Sequence, residues 1–183
     1  MRIRLLVNIG FGVQDKAEHT RRTGMGFDCL VMGKSEGKLV IKHYVKRIKR
    51  TIAKAKDAFS KFKKPIIIED DGLFIDSIDG FPGPYSSYVF KTIGNKGILN
   101  LLKNNRKAKF VSIITYCDKT ILQSFDGKLN GKISKTQKGK GWGYDPIFIP
   151  NNSKKTFAEL NNKNELSHRY KALRKFSKWY LHK

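Results

Sequence analysis

Ile66-Ile67-Ile68-Glu69-Asp70-Asp71-Gly72-Leu73-Phe74 sets three β-branched residues directly against three acids and a glycine. A short, continuous apolar run of this kind reads as a buried strand. Three adjacent carboxylates repel one another unless a cation or basic side chains offset them. The expectation is a strand that delivers its carboxylates to its C-terminal end, where open α/β sheets bind ligands. A solvated turn after the strand is the plainer alternative. In a chain with 38 Lys+Arg against 15 Asp+Glu, the functional reading carries equal weight.

Upstream of this strand, Val40, Ile41, Tyr44, Val45, Ile48, Ile52, Ala55, Ala58, Phe59 and Phe62 recur at spacings of three and four among lysines. They predict an amphipathic helix that Pro65 closes. Ile3 to Val7 suits a first strand, whereas the Gly-rich, basic stretch between Ile9 and Gly37 has no periodicity. Downstream, Phe81-Pro82-Gly83-Pro84-Tyr85 reads as a loop. Ile93 to Leu102 reads as a short helix, and Phe110 to Cys117 and Thr120 to Phe125 as strands paired about Asp118-Lys119. Gly127 to Ile133 offers a third strand, Ile147 to Ile149 another, and residues 164 to 181 a C-terminal helix. No repeat or linker interrupts the chain, which predicts one cooperative unit over residues 1–183.

At 183 residues, 39% hydrophobic and 11% aromatic, the chain is too apolar to be disordered, so its net charge of +23 sits on a globule. The bases gather toward both ends and the acids in the middle, a distribution that attracts polyanions without choosing among them. No apolar run approaches the roughly 18 to 20 residues of a membrane span, and Met1 to Val7 is too short for a signal-peptide core. A soluble, cytoplasmic protein is expected, with no membrane partner. Cys29 and Cys117 lack metal-site spacing and read as packing residues.

Two further segments carry chemistry. In Lys138-Gly139-Lys140-Gly141-Trp142-Gly143-Tyr144-Asp145-Pro146, the lysines and glycines can cradle phosphates and Trp142 and Tyr144 can stack on a base. No Gly-Lys-Ser/Thr closes this loop, so it is not a Walker loop. Lys163-Asn164-Glu165-Leu166-Ser167-His168-Arg169 sets a cation, an imidazole and a guanidinium near a helix start, where Arg and His can bond base carbonyls or phosphate. Taken alone, the segment reads as a Ser167 cap with His168 and Arg169 on a solvated face.

Taken together and in order, Glu69-Asp70-Asp71-Gly72-Leu73, Gly80-Phe81-Pro82-Gly83-Pro84-Tyr85-Ser86, Gly141 to Phe148, Ala158-Glu159, Lys163-Asn164 and Ser167-His168-Arg169 resemble the inosine triphosphate pyrophosphatase family, also called the Ham family. The resemblance runs from about Lys64 to the C-terminus. It implies an elongated, two-lobed α/β fold with a long mixed central sheet and a cleft between the lobes, usually as a homodimer. It implies Mg²⁺-dependent hydrolysis of ITP, dITP and XTP to the monophosphate and pyrophosphate, and so a purine nucleoside triphosphate as partner. By position Asp70 matches the family's catalytic acid and metal ligand, and Glu69 the neighbouring metal position. Asp71 stands where members commonly have Ser and adds a negative charge near the substrate. Trp142, Gly143, Tyr144 and Asp145 match the segment that holds the base, with Trp142 in the stacking position. Lys163, His168 and Arg169 match the base-reading and substrate-binding positions.

The N-terminal third departs from the family's Ser/Thr-x-Asn-x-x-Lys loop. Leu6 and Phe11 replace the hydroxyl residue and the lysine, so only Asn8 remains as a substrate-binding position. Glu36 is the weak candidate for a further metal ligand. Codons for Thr20-Arg21-Arg22-Thr23-Gly24-Met25 read one base later can encode Leu-Glu-Glu-Leu-Gly-Trp, which suits the end of the family's first helix. A local reading-frame shift from about Ile9 to the Val40 helix is therefore one account of the atypical residues 9–39. The competing class is a catalytically impaired relative whose basic surface binds nucleic acid non-specifically.

Overall fold

The computed structural model describes Arg4–Leu6 and residues 38–183, with side chains described from residue 43. Asn8, Phe11, Cys29, Glu36 and the frame-shift reading of the stretch from Ile9 lie outside the described residues. Strand β1 (Arg4–Leu6) runs parallel to β2 (Ile66–Ile75). Antiparallel strands β3 (Lys107–Cys117), β4 (Leu122–Ile133) and β5 (Phe148–Pro150) follow, giving a five-stranded sheet in the order β1-β2-β3-β4-β5. The expected mixed α/β class holds. The described residues do not delineate two lobes or a cleft between them.

The sheet is covered on both faces, and strand alternation decides which side chain meets which cover. Helix α1 (Lys38–Phe62) lies on one face. Its Ala55 and Ala58 pack on Ile66, Ile68 and Cys117, and its Tyr44 on Phe74, Val111 and Ile113. The helix stops where Lys63 turns left-handed (φ 50°), just ahead of Pro65, as the sequence predicts. Helix α5 (His168–Leu181) covers the other face, where Ala172 and Phe176 meet Ile67, Ile114 and Tyr116. Helices α2 (Ser86–Thr92) and α3 (Gly94–Leu101) cap a further core built on Leu73, Ile75, Phe110 and Phe148. Cys117 is buried under α1, beside Ala55 and Ala58, as a free thiol in a packing role.

Several expectations are corrected. β2 does not end at the acids: it continues through Gly72, Leu73, Phe74 and Ile75, all four paired with β3, so the acidic triplet lies in mid-strand. The hydrophobic residues after Gly72 supply the burial that keeps the strand going. The segments about Phe125 and Gly127 form one strand, β4, because Gly127 continues the ladder opposite Ser112. A Cβ at Gly127 would collide with the His168 carbonyl, so this glycine sets how closely α5 approaches the sheet. The C-terminal helix is interrupted: a turn, α4 (Lys163–Leu166), ends at Ser167, whose hydroxyl accepts from the Tyr170 N–H and caps α5.

Candidate active site

Alternation along β2 splits the acidic triplet. Asp70 points toward α1, while Glu69 and Asp71 point toward α5, and each face has its own basic partners. Carboxylate repulsion is relieved by guanidinium groups on both sides, which is why a charged mid-strand triplet is tolerated.

On the α1 face, Asp70 is buried. Arg47 Nε donates to its Oδ2 at 3.1 Å, and Arg50 Nη2 donates to Oδ1 at 2.9 Å and to Oδ2 at 3.0 Å. Arg47 is fully enclosed: its Nη2 also donates to the Asp71 carbonyl, and its guanidinium lies 5.7 Å from the Phe74 ring centroid. Gly72 makes this possible, because a Cβ there would collide with the Arg47 guanidinium. Burial lowers the Arg47 pKa, opposed by Asp70. Burial also lowers that of Lys54, again opposed by Asp70 and reinforced by Arg50 and Arg47.

On the α5 face, Arg169 bridges two acids, its Nε donating to Glu69 Oε1 at 2.7 Å and its Nη2 to Asp71 Oδ2 at 2.6 Å. Burial would lower the Arg169 pKa, but Asp71 and Glu69 outweigh it and the net shift is upward. Burial, with the Asp71 charge, raises the pKa of Glu69 against the pull of Arg169. His168 is enclosed rather than solvated. Its ring stacks on Phe110 with centroids 4.8 Å apart, and its Nε2 lies 3.8 Å from Asp71 Oδ1. Burial lowers its pKa to about 4, so the imidazole is neutral at pH 7. Among the described residues, His168 Nδ1 and Asp71 Oδ1 are buried without hydrogen-bond partners, leaving a donor or acceptor position and an oxygen to meet a ligand.

The glycine-rich loop presents one aromatic and buries the other. Trp142 is 72% exposed. Tyr144, expected to face the base as well, packs edge-on against Phe90 and donates its hydroxyl to the Ser86 carbonyl at 2.8 Å. Its role is to anchor the loop, and burial raises its pKa. Asn95 of α3 adds a second anchor, donating to the Gly143 carbonyl at 3.0 Å, where Gly143 takes a left-handed φ of 60°. Lys163 Nζ reaches Asp145 Oδ2 at 3.1 Å, offsetting a burial that raises the Asp145 pKa. Ser86 ties the proline-rich loop to the acidic strand, accepting from Leu73 N–H at 2.9 Å and donating to the Gly83 carbonyl at 2.6 Å.

Sequence reading missed Arg47, Arg50 and Lys54. The signal for Arg47 was available: it falls three residues after Tyr44 and four before Thr51, within the buried stripe of α1, where an unpaired cation is not tolerated.

The Glu69 and Asp70 carboxylates face opposite sides of the sheet, both Asp70 oxygens accept from guanidiniums, and Arg169 occupies oxygens of Glu69 and Asp71. Among the described residues no group of three or more His, Cys, Asp or Glu side chains is placed to hold a metal ion. As arranged, these carboxylates do not fit the shared magnesium ion expected of Asp70 and Glu69. No described helix is long and apolar enough to cross a membrane.

Residues 42–179 match the model of the Ham1 family. Over 123 residues the chain is 52% identical to a protein of Methanopyrus kandleri named dITP/XTP pyrophosphatase, covering 64% of this chain and 65% of that one, just under two thirds of its length. A protein of the same name from Korarchaeum cryptofilum is 45% identical over 133 residues, 71% of this chain and 72% of the other. Among solved structures, the Staphylococcus aureus Ham1 protein superposes with a TM-score of 0.69 at 29% identity, over 74% of this chain and 76% of that one. A HAM1 protein from Coxiella burnetii gives 0.70 at 28% identity, over 74% and 77%. With the acidic strand, the anchored aromatic loop and the Ser167-His168-Arg169 helix start in the positions described above, the chain belongs to the Ham1 family.

Proposed function

We propose that this protein hydrolyses the non-canonical purine nucleoside triphosphates ITP, dITP and XTP to the monophosphate and pyrophosphate. The observation that carries the reading is the division of β2: a buried carboxylate among cations on one face, and a guanidinium beside a neutral imidazole on the other. β1 pairs only with Ile66, Ile67 and Ile68, so among the described residues no strand lies along that edge of β2 beside Glu69 to Asp71. A nucleotide draped over this edge can set its base on the α5 face and its phosphates on the α1 face.

On the α5 face, Trp142 stacks on the purine, and the N–H groups of Arg169 and His168 serve as donors for a 6-oxo group. A 6-amino group would leave such donors unpaired, which is how adenine is rejected. On the α1 face, Asp70 orients a water in line with the α-phosphorus and accepts its proton. The water oxygen bonds to phosphorus, the bond from that phosphorus to the bridging oxygen breaks, and pyrophosphate leaves with the bond electrons. Guanidinium and ammonium groups offset the charge on the phosphoryl oxygens. Magnesium is the cofactor the family resemblance implies, and a dimer its usual assembly; a Mg²⁺ titration and sedimentation test them separately.

The test is pyrophosphate release from ITP, dITP, XTP, ATP and GTP, measured with and without Mg²⁺. Faster turnover of the 6-oxo substrates ITP, dITP and XTP than of ATP is expected. Equal rates on ITP and ATP would refute the base-reading roles of His168 and Arg169.

A further inference from the structure

The charge on the two faces of β2 does not balance. Among the described residues, two carboxylates on the α5 face meet one guanidinium and a neutral imidazole, whereas on the α1 face Asp70 alone meets Arg47, Arg50 and Lys54. A surplus of partly desolvated cations around one buried carboxylate is costly unless a further anion completes the set.

The two arginines differ in exposure. Arg47 is enclosed between Phe74 and Gly72 and bonded to both Asp70 and the Asp71 carbonyl, contacts that do not depend on Arg50. Arg50 has a side chain 37% exposed, reaches Asp70 through Nη2 alone, rests Nη1 on the Pro84 carbonyl at 2.9 Å, and leaves Nε buried without an acceptor among the described residues. Along α1, Lys46, Arg50 and Lys54 fall at intervals of four residues and so share one side of the helix. Lys46 Nζ sits at the same loop as Arg50, donating to Tyr85 Oη at 2.7 Å. Their span, eight residues at a rise of about 1.5 Å each, is roughly 12 Å, long enough to follow a polyphosphate chain.

We infer that Arg50 is a polyphosphate-binding residue that passes from Asp70 to the substrate's phosphate oxygens, leaving Arg47 on Asp70 and freeing one Asp70 oxygen to take the water. A guanidinium suits this exchange, because its planar fork pairs with carboxylate and phosphate in the same geometry. The inference rests on the proposed hydrolysis for its catalytic meaning, but the binding step stands apart from turnover.

The test is isothermal titration of inorganic tripolyphosphate, which carries no base, into the wild-type protein, Arg50→Ala, Arg50→Lys, Asp70→Asn and the Arg50→Ala/Asp70→Asn double variant. Loss of a charge-assisted pair predicts binding weaker by roughly 10- to 100-fold in Arg50→Ala and partly restored in Arg50→Lys. Asp70→Asn removes the competitor for Arg50 and should tighten binding in the wild-type background, by more than it does in the Arg50→Ala background. Equal effects of Asp70→Asn in both backgrounds would show simple charge repulsion and overturn the exchange. Unchanged tripolyphosphate affinity in Arg50→Ala would overturn the binding role. Failure to turn over ITP with Arg50-dependent binding intact would instead refute the proposed hydrolysis and leave this inference standing.

Discussion

Acidification should weaken the fold through His168, and by an amount the structure sets. The ring is enclosed against Phe110, and burial, opposed by Asp71 and reinforced by Arg169, Arg47 and Lys171, lowers its pKa from 6.5 to about 4. The unfolded chain therefore binds a proton that the folded chain refuses between those two values, so stability is complete above pH 6.5 and is lost as pH falls toward 4. The linkage integral gives about 2 kcal/mol lost by pH 5 and about 3 kcal/mol by pH 4, at 1.36 kcal/mol per pKa unit. Glu69 and Asp145, whose pKa values burial raises, act in the opposite sense and gain stability as they protonate. Their contribution is common to the wild type and a variant that cannot titrate at position 168. Urea unfolding of wild type and His168→Gln at pH 7, 5 and 4 isolates the histidine. The wild type should lose about 3 kcal/mol more than the variant across that range, and parallel pH profiles would refute the enclosed, neutral imidazole.

Three other outcomes follow from particular contacts. Trp142→Ala should weaken ITP binding by about 1 to 3 kcal/mol while Trp142→Phe is tolerated, because the exposed indole is proposed to stack on the base; equal affinity of both variants would make it a surface aromatic only. Gly127→Ala places a Cβ against the His168 carbonyl and 2.5 Å from Ala172 N, and chemical unfolding should show a loss of about 1 to 3 kcal/mol. Gly72→Ala drives the Arg47 guanidinium from its seat and should cut turnover of ITP more than it lowers the unfolding midpoint; wild-type turnover would show that Arg47 does not position Asp70.

The elements with strong periodicity were legible in the sequence, and those decided by three-dimensional neighbours were not. The apolar stripe from Val40 to Phe62 and the stop at Pro65 predicted α1, and the β-branched run at Ile66 predicted where β2 starts. Where β2 stops was misread, because acids normally end a buried strand and only the guanidiniums of α1 and α5 make them tolerable in its middle. Tyr144 and Trp142 are two residues apart in one glycine-rich loop, and nothing local distinguishes the ring that reaches the Ser86 carbonyl from the one left in solvent. The cluster of His168, Arg169, Glu69 and Asp71 was visible only through the family resemblance, since about a hundred residues separate its halves. Arg50 left no mark of its own, being one basic residue among many in a helix rich in lysine.

The central claim is that Asp70, on the α1 face of β2, drives pyrophosphate release from a 6-oxopurine nucleoside triphosphate. The direct measurement is kcat for pyrophosphate release from ITP by wild type and Asp70→Asn, with near-ultraviolet circular dichroism establishing that the variant keeps the fold. The account predicts a wild type active on ITP and a folded variant slower by a factor on the order of 10² to 10⁴. A folded Asp70→Asn protein releasing pyrophosphate at the wild-type rate would contradict it.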